Sequence, residues 1–322
     1  MDLTLLLLIG LGAALIIPNL GGDDDDDDGP ERNEIRGTLG DDPELNGTDG
    51  DDLIRGFAGD DVIDAGAGVD EVRAGEGEDV VNGGPDRDEI FGGPGDDILN
   101  GDGGNDTIRG GGGNDTIDGG EGFDIVFGGA GDDVIYGDVG DATLRGEDDD
   151  DDVFLWGEEG RAFGGDGDDE LVMVTGRGLL DGVAGSNTYY ALANDDDEQQ
   201  TVAIIRELGL DDEIVMTIDT SDASAEDADL LVTVTEGTIN GEDGYNIEVA
   251  FANEADEPGD GETFETARAF VLGRSLDIET VVEAVRVDVT VNAGLSVEDA
   301  QTTFDNVKAG AVVPAVTDPE LT

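Results

Sequence analysis

A nine-residue repeat runs without insertion or deletion from Gly47 to Tyr190 and makes sixteen units. The stretches GGPGDDILN, GDGGNDTIR and GGGGNDTID show it at its most regular. Glycine occupies early positions of the unit, aspartate the sixth and an aliphatic residue the eighth. Such a unit has room for one short strand, whose middle side chain points inward. Because a single aliphatic side chain forms no core, the units must stack on one another to bury it.

The repeat length predicts the shape of the stack. Two units close one coil of 18 residues, so that two thin parallel sheets face each other across an aliphatic interior. At a strand spacing of about 4.8 Å, eight such coils would extend over roughly 38 Å. The predicted fold class is therefore all-β, a parallel β-roll with two nonapeptides per coil.

Aspartate fills the sixth position in twelve of the sixteen units. These residues are Asp52, Asp61, Asp70, Asp79, Asp88, Asp97, Asp106, Asp115, Asp124, Asp133, Asp151 and Asp169. Alternate units place their carboxylates above one another, and two carboxylates about 5 Å apart repel by roughly 3 kcal/mol at an effective dielectric of about 20. A column of them requires positive charge between its members. Carboxylate and carbonyl oxygens form a hard-oxygen site, which favours Ca²⁺ over Mg²⁺.

Together with GGAGDDVIY, these stretches match the pattern G-G-x-G-x-D-x-U-x. In them the chain resembles the RTX, or haemolysin-type calcium-binding, family. The resemblance implies a right-handed parallel β-roll that holds several Ca²⁺ ions between adjacent turns, with the twelve aspartates as ligands. The pattern weakens after Gly137, where the sixth position becomes Ala142, Gly160 and Gly178.

The composition limits the chemistry that is available. The 322 residues include 83 acidic and 14 basic side chains, for a net charge of -69. We expect no nucleic-acid partner, because phosphate binding requires a basic surface. Neither cysteine nor histidine occurs, which excludes disulfides, a zinc site of the usual kind and a Ser-His-Asp nucleophile. We therefore predict that the protein is not an enzyme.

The first 36 residues differ from the repeat region. Residues 1–20 are apolar from Leu3 to Ile17, and residues 3–20 as a helix would span roughly 27 Å, close to the ~30 Å hydrocarbon core. The segment is either a membrane anchor or a cleaved signal segment. Residues 21–36 form an acidic linker whose six consecutive aspartates keep it extended by mutual repulsion. The calcium-binding β-roll is expected to occupy residues 37–190.

Residues 191–322 contain less glycine and more strand-like alternation. The predicted strands are Thr201–Glu207, Glu213–Asp219, Leu230–Thr235, Tyr245–Ala252, Phe264–Val271 and Val285–Val291. Ser296 and Asp299 suggest a capping box before a short helix. We expect a C-terminal β domain here, small and antiparallel, that caps the roll and covers its open edge.

Three functions are compatible with this organisation. The first is a non-catalytic calcium-binding protein that folds on binding Ca²⁺ outside the cytoplasm, either secreted or held at the cell surface. The second is a surface adhesion or polymer-binding module, whose extracellular partner the sequence does not identify. The third is a carboxylate- or Tyr-based enzyme that modifies polysaccharides. Trp156, Tyr189 and Tyr190 are either sugar-stacking residues or packing at the end of the roll.

Overall fold

A computed structural model describes residues 15–17, 32–137, 142–192, 202–206, 208–219, 229–239, 242–252, 266–272, 281 and 285–290. In these residues the chain is an all-β parallel solenoid of about nine turns with almost no helix. The predicted β-roll is confirmed. Its strands lie on two faces that enclose the aliphatic interior.

Face one begins at β2 and continues along the stack by parallel pairing. Its strands are β2 (Asn33–Arg36), β4 (Asp52–Ala58), β6 (Glu71–Glu76), β8 (Glu89–Pro94), β11 (Thr107–Gly112), β14 (Ile125–Ala130) and β16 (Thr143–Asp148). Val72 pairs with Ile90, and Ile90 with Ile108, so from β4 onward each strand lies 18 residues from its neighbour, whereas β2 and β4 are 19 apart. This register confirms two nonapeptides per coil.

Face two uses the alternate units of the repeat. Its strands are β3 (Leu45–Thr48), β5 (Val62–Gly66), β7 (Val80–Asn82), β9 (Ile98–Asn100), β12 (Thr116–Asp118) and β15 (Val134–Gly137). Two short strands, β10 (Gly103–Gly104) and β13 (Glu121–Gly122), pair in parallel in the turns. Val81, for example, pairs with Leu99, and Leu99 with Ile117.

Two long strands pass from face two to face one. They are β17 (Asp152–Asp166) and β18 (Glu170–Ala184), which pair with each other in parallel. The first part of β17 pairs with β15 and its last part with β16. The units that contain Gly160 and Gly178 lack the sixth-position aspartate, and there the chain stays extended around the edge of the roll. Register shifts next to Trp156 and Arg161 accommodate this change.

The interior consists of the eighth-position aliphatic side chains, which meet between the two faces. These residues are almost completely excluded from solvent: Ile54, Ile63, Val72, Val81, Ile90, Leu99, Ile108, Ile117, Val126, Ile135, Leu144, Val153, Ala162, Leu171 and Leu180. Each coil adds one such residue per face, as the repeat predicts. The stack therefore buries a continuous apolar column that no single coil could form alone.

The six strands predicted after Tyr190 are present, with bounds close to those expected. After β19 (Thr188–Leu192) they are β20 (Val202–Arg206), β21 (Glu213–Asp219), β22 (Asp229–Ile239), β23 (Glu242–Ala252), β24 (Thr266–Leu272) and β25 (Val285–Thr290). The antiparallel cap is not confirmed as a separate unit. β20 and β21 stack in parallel on β18 and β19, and β24 and β25 stack on them in turn.

Antiparallel pairing after residue 190 joins only β22 to β23 and β23 to β24 among the described strands. The roll continues beyond the repeat because aliphatic residues such as Ile205 and Ile214 keep filling its interior. Inward-facing residues thus maintain the stack even where the nonapeptide pattern has ended. The predicted helix after Ser296 lies outside the described residues.

The N-terminal apolar segment is described only at β1 (Leu15–Ile17), which pairs antiparallel with β2. These three residues are a strand, whereas a helix was expected. The rest of residues 1–20 and the run Asp23–Asp28 lie outside the described residues. In the parts of the chain that the structure describes, no helix has the length and apolar character needed to cross a bilayer.

Candidate metal centre

The twelve predicted aspartates form two buried columns, one at each edge of the roll. Column one contains Asp52, Asp70, Asp88, Asp106 and Asp124. Column two contains Asp61, Asp79, Asp97, Asp115, Asp133, Asp151 and Asp169. No member is more than 2% exposed. Burial of so many ionisable side chains is unusual, since isolated carboxylates are almost never removed from water without a partner.

A ladder of hydrogen bonds connects the members of each column. In ten of the twelve aspartates the backbone N–H donates to the Oδ1 atom of the aspartate 18 residues later, over donor–acceptor distances of 2.7 to 3.1 Å. The amide of Asp97, for instance, lies 2.8 Å from Oδ1 of Asp115. A backbone donor thus compensates one oxygen of every carboxylate that follows another aspartate in its column, which reduces the repulsion expected from the sequence.

Column two is longer than the sequence predicts. Asp42 begins it, donating from its amide to Asp61 Oδ1 at 2.8 Å. Asn187 and Asp212 continue it after Asp169, through bonds of 2.9 and 3.0 Å. Asp42 belongs to the sequence Gly40-Asp-Asp42, which is related to the repeat but precedes its regular phase, and Asp212 follows a longer connection. Column one ends at Asp124, because Ala142 occupies the next equivalent position.

The hydrogen bonding of the second carboxylate oxygen, Oδ2, differs between the ends of the columns and their middle. In Asp42, Asp52 and Asp212 it accepts a hydrogen bond from a nearby loop amide, that of Thr38, Thr48 or Gly209. The middle of the columns differs: Oδ2 is buried without any hydrogen-bond partner in Asp61, Asp70, Asp79, Asp88, Asp97, Asp106, Asp115, Asp133, Asp151 and Asp169. Ten buried acceptors therefore lack a donor within the structure that is described.

Six of the unpartnered oxygens lie close to a backbone carbonyl of the next coil beside a first-position glycine: those of Asp61, Asp88, Asp97, Asp106, Asp115 and Asp133. A Cβ atom added to Gly83 would lie 2.9 Å from Asp88 Oδ2 and 3.1 Å from the carbonyl oxygen of Gly101 in the next coil. At Gly110 the added atom would lie 2.7 Å from the Gly128 carbonyl oxygen and closer still to Asp115 Oδ2. Two acceptors thus converge on one point in these six units. In the units of Asp70 and Asp79 the first position is Ala65 or Ala74, so a methyl group occupies the equivalent space there.

The same surroundings change the acidity of these aspartates. Burial raises the pKa of Asp88, Asp97 and Asp115 to about 7 and that of Asp151 to about 8, although the backbone hydrogen bond opposes the shift. In these residues neighbouring carboxylates raise the pKa further. For Asp61, Asp70, Asp106, Asp133 and Asp169 burial raises the pKa to about 6. Near neutral pH the buried oxygens therefore require either protons or bound cations.

The donor set fits calcium. Within the described residues no three acidic side chains meet at one point, so a bound ion would take its remaining ligands from backbone carbonyls and water. Carboxylate and carbonyl oxygens without nitrogen or sulfur are the ligands that Ca²⁺ accepts in irregular arrangements of six to eight. The unpartnered Oδ2 atoms and the carbonyls that face them supply both kinds of oxygen.

The three aromatic residues considered for sugar stacking are buried. Tyr189 lies in the roll interior, where its hydroxyl accepts a hydrogen bond of 3.1 Å from the Gly182 amide. Trp156 and Tyr190 belong to a second apolar cluster, in which the Trp156 ring stacks on Phe154 with centroids 6.1 Å apart. All three side chains therefore pack within the protein and offer no open face to a sugar.

Comparison with known proteins identifies the repeat. The model of the RTX calcium-binding nonapeptide repeat matches four copies, at residues 44–72, 73–108, 109–144 and 127–160. A comparison with curated proteins gives no match. The matched segments contain most members of both aspartate columns.

Proposed function

We propose that this chain, whose residues 44–160 are RTX calcium-binding nonapeptide repeats, is a non-catalytic protein that folds around several Ca²⁺ ions outside the cytoplasm. The observation that carries the proposal is the set of ten buried carboxylate oxygens without donors. We expect the coils to wind in the right-handed sense that the family resemblance implies. The role of residues 191–322 would be to complete the stack.

Within each candidate site the protein supplies three elements. The Oδ2 atom of the sixth-position aspartate provides negative charge, and the facing carbonyl, such as that of Gly128 opposite Asp115, provides a neutral oxygen. The amide ladder holds each carboxylate in one orientation through Oδ1. A bound Ca²⁺ would supply the positive charge that the buried oxygens lack. Among the twelve predicted ligands, Asp52 is the weakest candidate because loop groups bond its Oδ2.

Calcium affinity should depend on pH in a direction fixed by the raised pKa values. Because protons compete for the same oxygens, we expect the affinity to fall by about tenfold or more between pH 8 and pH 6. At pH 6, where bound protons keep the metal-free roll partly folded, binding should release protons from Asp88, Asp97, Asp115 and Asp151, whose folded-state pKa values are about 7 or 8. Calorimetric Ca²⁺ titrations in buffers of different ionisation enthalpy measure both quantities.

Mg²⁺ is the control ion for these titrations, since it requires tighter octahedral geometry than carbonyl-rich sites provide. Calcium heats that do not depend on the buffer, together with an affinity unchanged from pH 6 to pH 8, would contradict the assignment of the buried aspartates as ligands. Equal affinity for Mg²⁺ would contradict the calcium specificity.

Export is proposed from the apolar segment Leu3–Ile17 and the acidic run that follows it. Residues 18–31, which follow the segment directly, contain no Lys or Arg, so they lack the positive charge that favours a cytoplasmic flank. A reporter fused after Asp28 should be active only outside the cytoplasm, and deletion of residues 3–17 should abolish that activity. Activity of the intact fusion inside the cell would overturn the proposal.

A further inference from the structure

Basic residues are concentrated on the outer surface of face one. Along this face the residue after each buried aliphatic forms an outward column, which we call the Arg–Phe column: Arg36, Arg55, Arg73, Phe91, Arg109, Phe127, Arg145 and Phe163. The equivalent column of face two contains no basic residue from Asn46 to Phe154. In a chain with a net charge of -69, such segregation produces a local field that differs from that of the whole molecule.

Arginine and phenylalanine contact each other along the column. The Arg109 guanidinium lies over both the Phe91 and Phe127 rings, 5.3 and 5.1 Å from their centroids. The Arg145 guanidinium lies 4.6 Å from the centroid of Phe163. Cation–π contacts of this kind orient the guanidinium groups but leave their charge uncompensated. Guanidinium groups therefore alternate with rings along the column, and Phe163 has Arg145 over one of its faces.

The two halves of the column differ in their acidic neighbours. In the N-terminal half Glu34 pairs with Arg36 and Arg55, and Glu71 pairs with Arg73. These glutamates directly precede a buried aliphatic residue. In the C-terminal half the same position is occupied by Thr143, Arg161 and Leu179. The arginines of the C-terminal half therefore lack the glutamate partners that this position supplies to Arg36, Arg55, Arg73 and Arg109.

A groove lies at this C-terminal end. Its volume is about 460 Å³, and it is lined by Arg161, Arg177 and Arg206 with Phe163 and Leu179 among its apolar walls. Three cations therefore line one cavity. Its acidic neighbours include Glu159 at the groove and Asp181, which lies 4.0 Å from Arg206. The backbone of Glu158 pairs with that of Arg177, and the backbone of Glu242 with that of Ile239 in the groove wall. Within the described residues, Arg161 and Arg177 form no ion pair.

We propose that this groove, extended by Arg145 and Phe163, binds a linear acidic polysaccharide. Guanidinium groups bind carboxylates through paired hydrogen bonds, and the apolar face of a sugar ring packs on an aromatic ring such as Phe163. The open groove continues into a straight column in which cations recur every second coil, on the order of 10 Å apart. An elongated polymer with regularly spaced charges matches this arrangement better than a compact anion does.

The overall charge of the protein predicts an unusual salt dependence. A polyanion is repelled at long range by the net charge of -69 but attracted at short range by the groove. Salt screens exposed charges over about 10 Å at 0.1 M, so moderate salt removes the repulsion before it weakens the contacts. Binding should therefore be strongest at intermediate ionic strength.

The test uses the full chain folded in Ca²⁺ and a hyaluronan hexasaccharide, with cellohexaose as the neutral probe. We expect calorimetric binding of hyaluronan but not of cellohexaose. The triple variant Arg161→Gln, Arg177→Gln, Arg206→Gln should lose about tenfold or more in affinity, since it removes three charge-assisted contacts. The matched control is the triple variant Arg36→Gln, Arg55→Gln, Arg73→Gln. It also removes three positive charges, but from the N-terminal half of the column, where the arginines are ion-paired, and it should bind hyaluronan like the wild type.

The variant Phe163→Leu distinguishes a sugar from a simple anion. It should weaken hyaluronan binding several-fold and leave binding of inorganic sulfate, a simple anion that chelates Ca²⁺ only weakly, unchanged. Equal losses in the two triple variants, or tighter binding of sulfate than of hyaluronan, would overturn the proposal. Circular dichroism of each variant with and without Ca²⁺, recorded before any sugar is added, tests the calcium-binding proposal independently of sugar binding.

Discussion

Removal of calcium at pH 8 should unfold most of the roll, and millimolar Ca²⁺ should restore a β-type circular dichroism spectrum. At pH 8 the eight aspartates whose pKa values are raised only to about 6 or 7 are largely ionised, while their Oδ2 atoms are buried without donors. Such groups favour the hydrated, unfolded chain. Calcium binding would then supply much of the folding free energy.

Acid should partly replace calcium in the same experiment. A raised carboxyl pKa means that the metal-free fold binds more protons than the unfolded chain. The contribution of these groups to stability is therefore fully present below about pH 4 and is lost as the pH rises through 6 to 8. Metal-free protein should show more β structure at pH 5 than at pH 8.

The control for both measurements is the variant in which Asp97, Asp106, Asp115 and Asp124 are all replaced by Ala. It removes neighbouring sites from both columns, so its calcium response should be much smaller than that of the wild type. A complete β spectrum of the wild type in chelator at pH 8 would refute the coupling of folding to calcium. So would a calcium response that the four substitutions leave unchanged.

Replacement of Gly110 by Ala should disable one calcium site without altering any charge. The new methyl group would lie 2.7 Å from the Gly128 carbonyl oxygen and still closer to Asp115 Oδ2, where the two acceptors converge. Relieving this overlap must displace one of the ligands, at a cost of about 1–3 kcal/mol. We expect one fewer ion in the calorimetric stoichiometry and a higher calcium midpoint for folding.

Gly112 provides the matched control in the same turn. No atom lies within 4 Å of a Cβ added there, and the backbone has no positive φ. Gly112→Ala should therefore bind and fold like the wild type. If the two variants behaved alike, the convergence of Asp115 Oδ2 and the Gly128 carbonyl would have no role in metal binding.

Much of the fold follows from the period alone. The repeat has nine residues, with one inward aliphatic and one aspartate at fixed positions. This spacing predicted the coil size, the register between Val72 and Ile90 and the alignment of the aspartates in columns. These features depend on local spacing, which a sequence displays directly. The strands after Tyr190 were also found, because their alternation is strong.

The way in which those later strands assemble was not predictable in the same manner. Alternation shows that a strand has a buried face but not which strand it pairs with, so β20 and β24 were assigned to an antiparallel cap although they pair in parallel. Asp212 was missed as a column member because a longer connection breaks the phase before it. The Oδ1 ladder also had no sequence signal, since it depends on which backbone amide faces each carboxylate.

The direction of the ladder makes the two ends of a partial stack chemically different. A coil at the C-terminal edge exposes a backbone amide, such as that of Asp97 when Asp115 is absent. A coil at the N-terminal edge exposes instead a carboxylate whose Oδ1 atom lacks its amide donor. Two like edges therefore cannot extend the ladder into each other.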